Sequence, residues 1–234
     1  MEAEPHDGRM VIVGFAPSLK DHLEELKEKH ERGDHVVCVN GSHDWLIGRG
    51  VVPNSCVLLD SWDGLKDLIT PHPGVAYMVA SQCHPSLFNK LAWCNVTLWH
   101  AYVDKNQTGF AVEELAPNAW VINGSMTAAL GSLFLGHLQG YRRFTYFGMD
   151  SSFPETGKHH VEPCDEPEQQ EVEIEHAGRK FLSTLGLIAQ AQQFERMYTV
   201  IFHRSRIRVV GDGLIPHVAR TLSRLKYGLE LSDV

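Results

Sequence analysis

The chain has 234 residues, of which 43% are hydrophobic and 21% charged, and its formal net charge is -8. This size and composition fit a single α/β domain over residues 1–234 that carries one insertion. The acidic balance argues against a broad nucleic-acid surface. No stretch is apolar and long enough to span a membrane, and the five cysteines have no paired spacing, which indicates reduced thiols. We therefore expect a cytoplasmic protein.

Short apolar runs alternate with helical patterns along most of the chain. They predict β-strands at Met10–Gly14, His35–Asn40, Cys56–Asp60, Val75–Ala80, Val96–His100 and Phe144–Gly148. This alternation favours a Rossmann-like, doubly wound and mostly parallel sheet. In such a sheet the carboxyl ends of the strands meet at one edge, which is where ligands bind.

The first strand leads into the turn Gly14–Ser18. Ser18 is expected to cap a helix whose apolar positions begin at Leu19. Glycine allows a ligand to approach the backbone closely, and a helix start directs N–H groups outward, so the turn suits a phosphate or nucleotide. An ordinary strand-to-helix connection explains the same residues equally well.

Polar residues follow the next strands at the same predicted edge. They are Asn40 and Gly41 after the second strand, Asp60 after the third, and Ser81 and Gln82 after the fourth. The amide of Asn40 can both donate to and accept from a base or ribose. Asp60 and the nearby Asp63 can bind Mg²⁺ or a sugar hydroxyl, or Asp63 can simply cap the next helix.

The segment Val121–Asp150 reads as the central unit of the chain. It comprises a tight turn at Asn123, Gly124 and Ser125, a helix whose apolar positions run from Ala128 to Leu138, a strand, and a loop that opens at Gly148. Small residues at Gly131, Ser132 and Gly136 allow the helix to lie close to a neighbour. The helix start at Gly124–Thr127 offers free N–H groups to an anion, and Asp150 lies just past the strand.

Residues 151–178 are polar and interrupted by prolines, which predicts a mobile flap beside Asp150. Glu171–Glu175 and Arg179–Ser183 read as a small hairpin, so flap and hairpin together form an insertion at 151–183. His159 and His160 lie in the flap. Either can act as a general base near neutral pH, or both can belong to a solvated charged loop. A helix over Leu185–Phe202, a strand at Arg206–Val210 and a helix over Leu214–Leu225 complete the chain.

Three ordered segments carry a resemblance to a known family: VIVGFAPSL, VVCVNGSHDWLIGRGVVPNSCVLLD and INGSMTAALGSLFLGHLQGYRRFTYFGMDSSF. Together they resemble the MptE-like domain family over most of Met10–Phe153. That family includes archaeal 6-hydroxymethylpterin diphosphokinase and the central domain of bacterial motility-associated (Maf) flagellin glycosyltransferases. It also shares a Rossmann-like architecture with bacterial CMP-sialic acid transferases.

The resemblance implies a nucleotide site. The residues that match its positions are Gly14, Pro17, Ser18, Asn40, Asp60, Gly124–Thr127, Gly148 and Asp150. The chain departs from the usual pattern at Phe15 and Ala16, where relatives often carry asparagine and glycine. A histidine in the flap acts as the base in the sialyltransferase relatives, and His159 or His160 is similarly placed. We therefore expect His159, His160 and Asp150 to be catalytic.

Three functions remain open at this point. A diphosphokinase needs Mg²⁺ bridging the ATP phosphates, and that branch resembles a D-x-D-G run, whereas Asp60–Gly64 is one residue longer. Glycosyl transfer needs a nucleotide pocket, a closing flap and a base, but no metal. The flap and its histidines favour transfer from a nucleotide-sugar donor to a hydroxyl acceptor. A nucleotide-binding module without chemistry is the third possibility, and a homo-oligomer is compatible with all three.

Overall fold

A computed structural model describes residues 3–102, 114, 121–123, 126–154, 170–201 and 205–227. The strands are β1 (Arg9–Val13), β2 (His35–Val39), β3 (Ser55–Leu58), β4 (Ala76–Ala80), β5 (Asn95–Tyr102), β6 (Val121–Asn123), β7 (Arg143–Phe147), β8 (Glu171–His176), β9 (Arg179–Thr184) and β10 (Arg206–Val209). The α-helices are α1 (Leu23–Glu31), α2 (Ser42–Ile47), α3 (Pro85–Lys90), α4 (Ala128–Leu138), α5 (Leu185–Arg196) and α6 (Leu214–Tyr227). Short 3₁₀ helices span Pro17–Leu19 and Asp63–Leu68.

Eight strands form one parallel sheet in the order β10-β7-β1-β2-β3-β4-β5-β6. The chain runs outward from β1 to β6 and then returns to place β7 on the other side of β1. The winding direction therefore reverses between β1 and β7. In doubly wound sheets this switch point marks the ligand crevice at the carboxyl ends of the strands. The predicted Rossmann-like architecture is confirmed.

The central strands are buried on both faces, as their continuous apolar runs predict. Helix α4 packs against β1, β2 and β3. A Cβ atom added at Gly136 would lie 2.4 Å from the sulfur of Met10, so the glycine lets the helix lie directly on β1. The expected role of the small residues in this helix is confirmed at that position.

Three sequence expectations need correction. Asn123, predicted to open a turn, is instead the last residue of the short strand β6, which adds Val121–Asn123 to the sheet edge by pairing with the end of β5. Ser18 does not cap a helix that continues through Leu19, because a single 3₁₀ turn intervenes and α1 begins only after His22. The helix predicted over Leu185–Phe202 changes at Met197 from α5 into a π-helical turn.

The hairpin of β8 and β9 forms a separate two-stranded antiparallel sheet, as the sequence predicts. Its two turn residues, Ala177 and Gly178, have φ angles of 46° and 79°. Positive φ at both positions is typical of the type I′ turn that matches the twist of paired strands. Within the described ranges, no helix has the length and apolar character needed to cross a bilayer.

Candidate functional site

The turns that follow β1 and β7 meet at the switch point of the sheet. The backbone N–H of Gly14 donates to the carbonyl of Phe147 at 2.8 Å, and that of Ala16 donates to the carbonyl of Gly148 at 3.0 Å. A Cβ atom at Gly14 would lie only 2.3 Å from the Gly148 oxygen. Gly148 itself has a φ of 63°, which favours glycine. Both glycines are therefore required for the two turns to lie together.

A serine–carboxylate contact closes this junction. The Ser18 hydroxyl donates to Oδ1 of Asp150 at 2.6 Å, and its backbone N–H donates to Oδ2 at 3.1 Å. Asp150 is only 7% exposed, and burial raises the pKa of its carboxyl against the opposing effect of the two Ser18 bonds. Since both carboxylate oxygens face Ser18, Asp150 orients the turn after β1.

Asp150 and Ser152 also accept hydrogen bonds from the first residues of helix α6. The Asp150 carbonyl accepts from Ile215 N–H at 3.2 Å, and the Ser152 hydroxyl accepts from Leu214 N–H at 3.2 Å. A Cβ atom at Gly213 would lie 2.5 Å from the Asp150 carbonyl oxygen. The turn after β10 thus belongs to the junction, which the sequence analysis missed. The Gly-Asp-Gly run that follows the last strand was the available signal.

Farther along the edge, polar side chains pair with one another across neighbouring strands. Asn40, whose φ is 47°, donates from Nδ2 to Oδ2 of Asp60 at 2.7 Å. Its Oδ1 is buried and has no hydrogen-bond partner within the described part of the chain. The hydroxyl oxygen of Ser81 lies 2.9 Å from Nδ1 of His100, a residue that the sequence analysis did not single out. The edge therefore carries two polar side-chain pairs, Asn40 with Asp60 and Ser81 with His100.

Three further predicted site residues, Gly41, Pro17 and Gln82, lie in the loops that follow β2, β1 and β4. Gly41 precedes α2, and a Cβ atom there would lie 3.1 Å from the ring of Phe15. The phenyl ring of Phe15 thus lies against the second loop. Pro17 is the first residue of the 3₁₀ turn, and Gln82 follows Ser81 in the turn after β4.

Thr127 caps α4, since its hydroxyl accepts from Leu130 N–H at 3.3 Å. Gln190 of α5 donates from Nε2 to the Thr127 hydroxyl at 3.1 Å and accepts from the Ser151 hydroxyl at 2.7 Å. One glutamine therefore joins the start of α4 to the turn after β7. No local pattern around Gln190 reveals this link, because its partners are distant in the chain.

Several predicted site residues cannot be placed. His159, His160, Gly124 and Ser125 lie outside the described residues, and Asn123 is described only as the last residue of β6. Most of the predicted flap likewise falls in the range 155–169, which is not described.

The two aspartates considered for Mg²⁺ have separate protein partners. Asp60 bonds to Asn40, whereas Asp63 accepts from Lys66 Nζ at 2.7 Å and from the Ser86 hydroxyl at 2.5 Å and lies 3.0 Å from Nδ1 of His84. The bond from Lys66 is the main cause of a lowered pKa at Asp63. Because an ammonium group already balances this carboxylate, the pair does not fit a magnesium site. Asp63 also does not cap the following turn, since Trp62 holds that position.

A cleft of about 880 Å³ opens on the other side of the Ser18–Asp150 contact. The turns after β1 and β7, the hairpin, the end of β10 and helix α6 surround it. Among the predicted site residues, Pro17, Ser18 and Asp150 line it, while Asn40, Asp60 and Ser81 do not. Asn40, Asp60 and Ser81 end neighbouring strands at the same edge of the sheet as Ser18 and Asp150.

Comparisons with known proteins agree with this architecture. A family model described as "6-hydroxymethylpterin diphosphokinase MptE-like" matches residues 2–156. Among solved structures, the Maf glycosyltransferase from Magnetospirillum magneticum AMB-1 superposes with a TM-score of 0.71 at 14% identity, covering 90% of this chain and 33% of that one. The chain therefore spans about a third of that protein, and at this identity the likeness shows the fold. No curated protein matches the chain in sequence.

Proposed function

The chain belongs to the MptE-like family, and on that basis we propose that it is a nucleotide-dependent transferase that moves a sugar from a nucleotide-sugar donor to a hydroxyl acceptor. The observation that carries the proposal is the junction of Gly14 and Gly148 at the switch point of the sheet, beside the polar edge at Asn40 and Asp60. Ligands bind at this position in open α/β sheets.

In this proposal the donor nucleotide lies along the carboxyl edge. Its phosphates approach the start of α4 beside the N-cap Thr127, because backbone N–H groups at a helix start favour anions. In the turn Gly14–Ser18 the N–H groups of Gly14, Ala16 and Ser18 already donate to Phe147, Gly148 and Asp150, so we do not assign the phosphates to that turn. The base or ribose lies against the side chains of Asn40 and Asp60, which bond to each other through Nδ2 and Oδ2. Ser81 and Gln82 extend the same surface.

The proposed chemistry is a single displacement. The acceptor hydroxyl oxygen attacks the anomeric carbon, the bond from that carbon to the phosphate oxygen breaks, and its electron pair leaves with the nucleotide. A base takes the hydroxyl proton, and His159 or His160 is proposed for that role. Asp150 would contribute by holding Ser18 and its turn in place, since both carboxylate oxygens face that residue.

A second candidate is an Mg-ATP-dependent diphosphokinase of the 6-hydroxymethylpterin type, which the description of the family model favours. It would require Asp60 and Asp63 to leave their present partners and bind Mg²⁺. The arrangement of Asp63 with Lys66 and Ser86 makes this the less favoured candidate.

A thermal-shift screen with CMP, UDP, GDP and ATP, each with and without Mg²⁺, tests the proposal, because a ligand that binds the native state raises the melting temperature. We expect stabilisation by one nucleoside phosphate irrespective of Mg²⁺, and its loss in Asn40→Ala. Asn89→Ala, which removes an exposed amide in α3, is the matched control. Stabilisation by ATP only with Mg²⁺ would support the diphosphokinase. Binding without turnover of any donor would indicate a non-catalytic module, and no stabilisation would contradict the proposal.

A further inference from the structure

Two tryptophan side chains of the chain are more than half exposed. They are Trp62, at 55%, and Trp93, at 98%. Trp62 follows the end of β3, whereas Trp93 precedes the start of β5, so the two indoles belong to opposite edges of the parallel sheet. Trp62 therefore lies at the carboxyl edge, which is the edge where doubly wound sheets bind ligands.

The indole of Trp62 packs on the backbone of Gly64. A Cβ atom added at Gly64 would lie 2.1 Å from Cζ2 of the indole and 2.5 Å from its Cε2 and Cη2 atoms. Only a residue without a side chain leaves room for the ring in this position. The benzene part of the indole is therefore supported by the loop, although more than half of the residue remains exposed.

The loop that carries Trp62 is tied to helix α3 by two side-chain contacts. Asp63, the next residue, accepts from the Ser86 hydroxyl at 2.5 Å near the start of α3. Lys90, at the end of α3, donates from Nζ to the carbonyl of Lys66 at 2.6 Å. A fixed loop thus presents the exposed ring, and a ligand that stacks on a fixed ring loses less free energy to ordering.

Trp62 follows the polar pair of the carboxyl edge by two residues. Asp60 accepts from Nδ2 of Asn40 at 2.7 Å across the loops after β2 and β3. These strands are direct neighbours and so lie about 4.8 Å apart. A nucleobase has a flat π-face and a polar rim. The loop after β3 offers a matching group for each, with the indole for the face and the polar pair for the rim.

We propose that Trp62 is a binding residue of the donor site and that its indole stacks on the base of the nucleotide. This proposal rests on the proposed function, which places the nucleotide at the carboxyl edge. It assigns the base to the loop after β3, next to Asp60. Because every base has a π-face, the stack adds affinity for nucleotides in general and leaves the choice among bases to other contacts.

Isothermal titration calorimetry with CMP, UDP, GDP and ATP as probes tests the stack. For the nucleotide that binds the wild type, Trp62→Ala should weaken the affinity about 5- to 100-fold, the usual effect of removing one aromatic ring from a base. Trp62→Phe keeps an aromatic face and should retain part of the affinity. Trp93→Ala is the matched control, since it removes an exposed indole at the opposite edge and should leave the affinity unchanged.

Ribose 5-phosphate, which has the sugar and a phosphate but no base, separates the base from the ribose. We expect the wild type to bind it more weakly than the nucleotide. Trp62→Ala should bind it as the wild type does, because the stack is made only by the base. Weaker binding of ribose 5-phosphate by Trp62→Ala would show that the indole contacts the sugar, and it would overturn the assignment.

Gly64→Ala tests the position of the ring without removing it. The added methyl group takes the space of the indole, so the ring must move, and nucleotide affinity should fall as it does in Trp62→Ala. Gly48→Ala, whose nearest contact would be 3.4 Å, should bind as the wild type does. Urea unfolding of the variants shows that they are folded. Full nucleotide affinity in Gly64→Ala would contradict a stack on the ring as the loop holds it.

The outcomes separate this proposal from the proposed function. If a nucleotide binds and its sugar derivative is turned over, but Trp62→Ala binds as tightly as the wild type, the stack is wrong and the transferase stands. If binding depends on Trp62 and no donor is turned over, the stack stands and the transferase fails. If none of the four nucleotides binds, the stack and the placement of the donor are both overturned.

Discussion

Ser18 and Asp150, which are 132 positions apart in the chain, share two hydrogen bonds of 2.6 and 3.1 Å at the switch point of the sheet. The contact joins the turn after β1 to the turn after β7. The Asp150 carbonyl and the Ser152 hydroxyl, in the turn after β7, also accept hydrogen bonds from the first N–H groups of α6. One buried aspartate thus connects the turns after β1 and β7 with the start of α6.

Removal of this carboxylate is expected to destabilise the fold. Asp150→Ala leaves the Ser18 N–H and hydroxyl without their acceptors and should cost about 1–3 kcal/mol of unfolding free energy. Asp150→Asn should cost less, because its amide oxygen accepts from Ser18 N–H and its NH₂ donates to the hydroxyl. Urea unfolding measures both, with Asp67→Ala as the control at an exposed carboxylate. Equal losses in the alanine and asparagine variants would contradict this account.

The pH dependence of stability should report the same group. Burial raises the pKa of Asp150 in the folded protein above the unfolded value of about 3.9, so the native state binds the proton more tightly. That stabilisation is complete below the unfolded pKa and is lost as the pH rises through the folded pKa. We therefore expect wild type to lose stability relative to Asp150→Asn as the pH rises from about 4 toward neutrality. A difference that stays constant over this range would show that Asp150 does not carry the effect.

Gly14 should not tolerate a side chain. Its Cβ would lie 2.3 Å from the Gly148 carbonyl oxygen, so Gly14→Ala must push the two turns apart, and overpacking of this kind costs about 1–3 kcal/mol. Gly48→Ala is the control, because its nearest contact would be 3.4 Å and its φ is -61°, which alanine adopts readily. Chemical unfolding should separate the two variants; similar stabilities would refute the close approach.

Gln190 is expected to matter for ligand binding more than its position in α5 suggests. Gln190→Ala breaks the links to Thr127 and Ser151, at a cost of about 1 kcal/mol for each hydrogen bond lost. The start of α4 is then less constrained, and nucleotide stabilisation in the thermal-shift assay should decrease. Gln192→Ala, at an exposed position of the same helix, should leave both values unchanged.

Activity measurements should separate the two candidate chemistries. For glycosyl transfer, His159→Ala or His160→Ala should lower kcat about 10²- to 10⁴-fold with little effect on donor binding, while the other histidine variant stays mild. Asp60→Asn should have a modest effect and EDTA almost none. A diphosphokinase predicts the reverse: chelation stops it, Asp60→Asn or Asp63→Asn is severe, and both histidine variants remain active.

Sequence patterns determined the elements and their common edge. Apolar runs such as Met10–Gly14 and Phe144–Gly148 are buried strands, and their alternation with helices correctly predicts parallel pairing. The hairpin turn at Ala177 and Gly178 and the close packing at Gly136 were also readable, because they depend on local conformation and residue size. These features follow from periodicity, local conformation and side-chain size, which the residue types report directly.

Only the tertiary structure decided which residues at the edge of the sheet contact one another. The position of β7 between β1 and β10 brings Ser18 to Asp150, and the turn after β10 brings Asp212 to Arg179 and Arg220. Such pairings depend on strand order and on contacts between residues far apart in the chain, which local periodicity does not encode. Residue type at Asp60 and Asp63 likewise allowed a metal pair, but the positions of Asn40 and Lys66 gave each carboxylate a different partner.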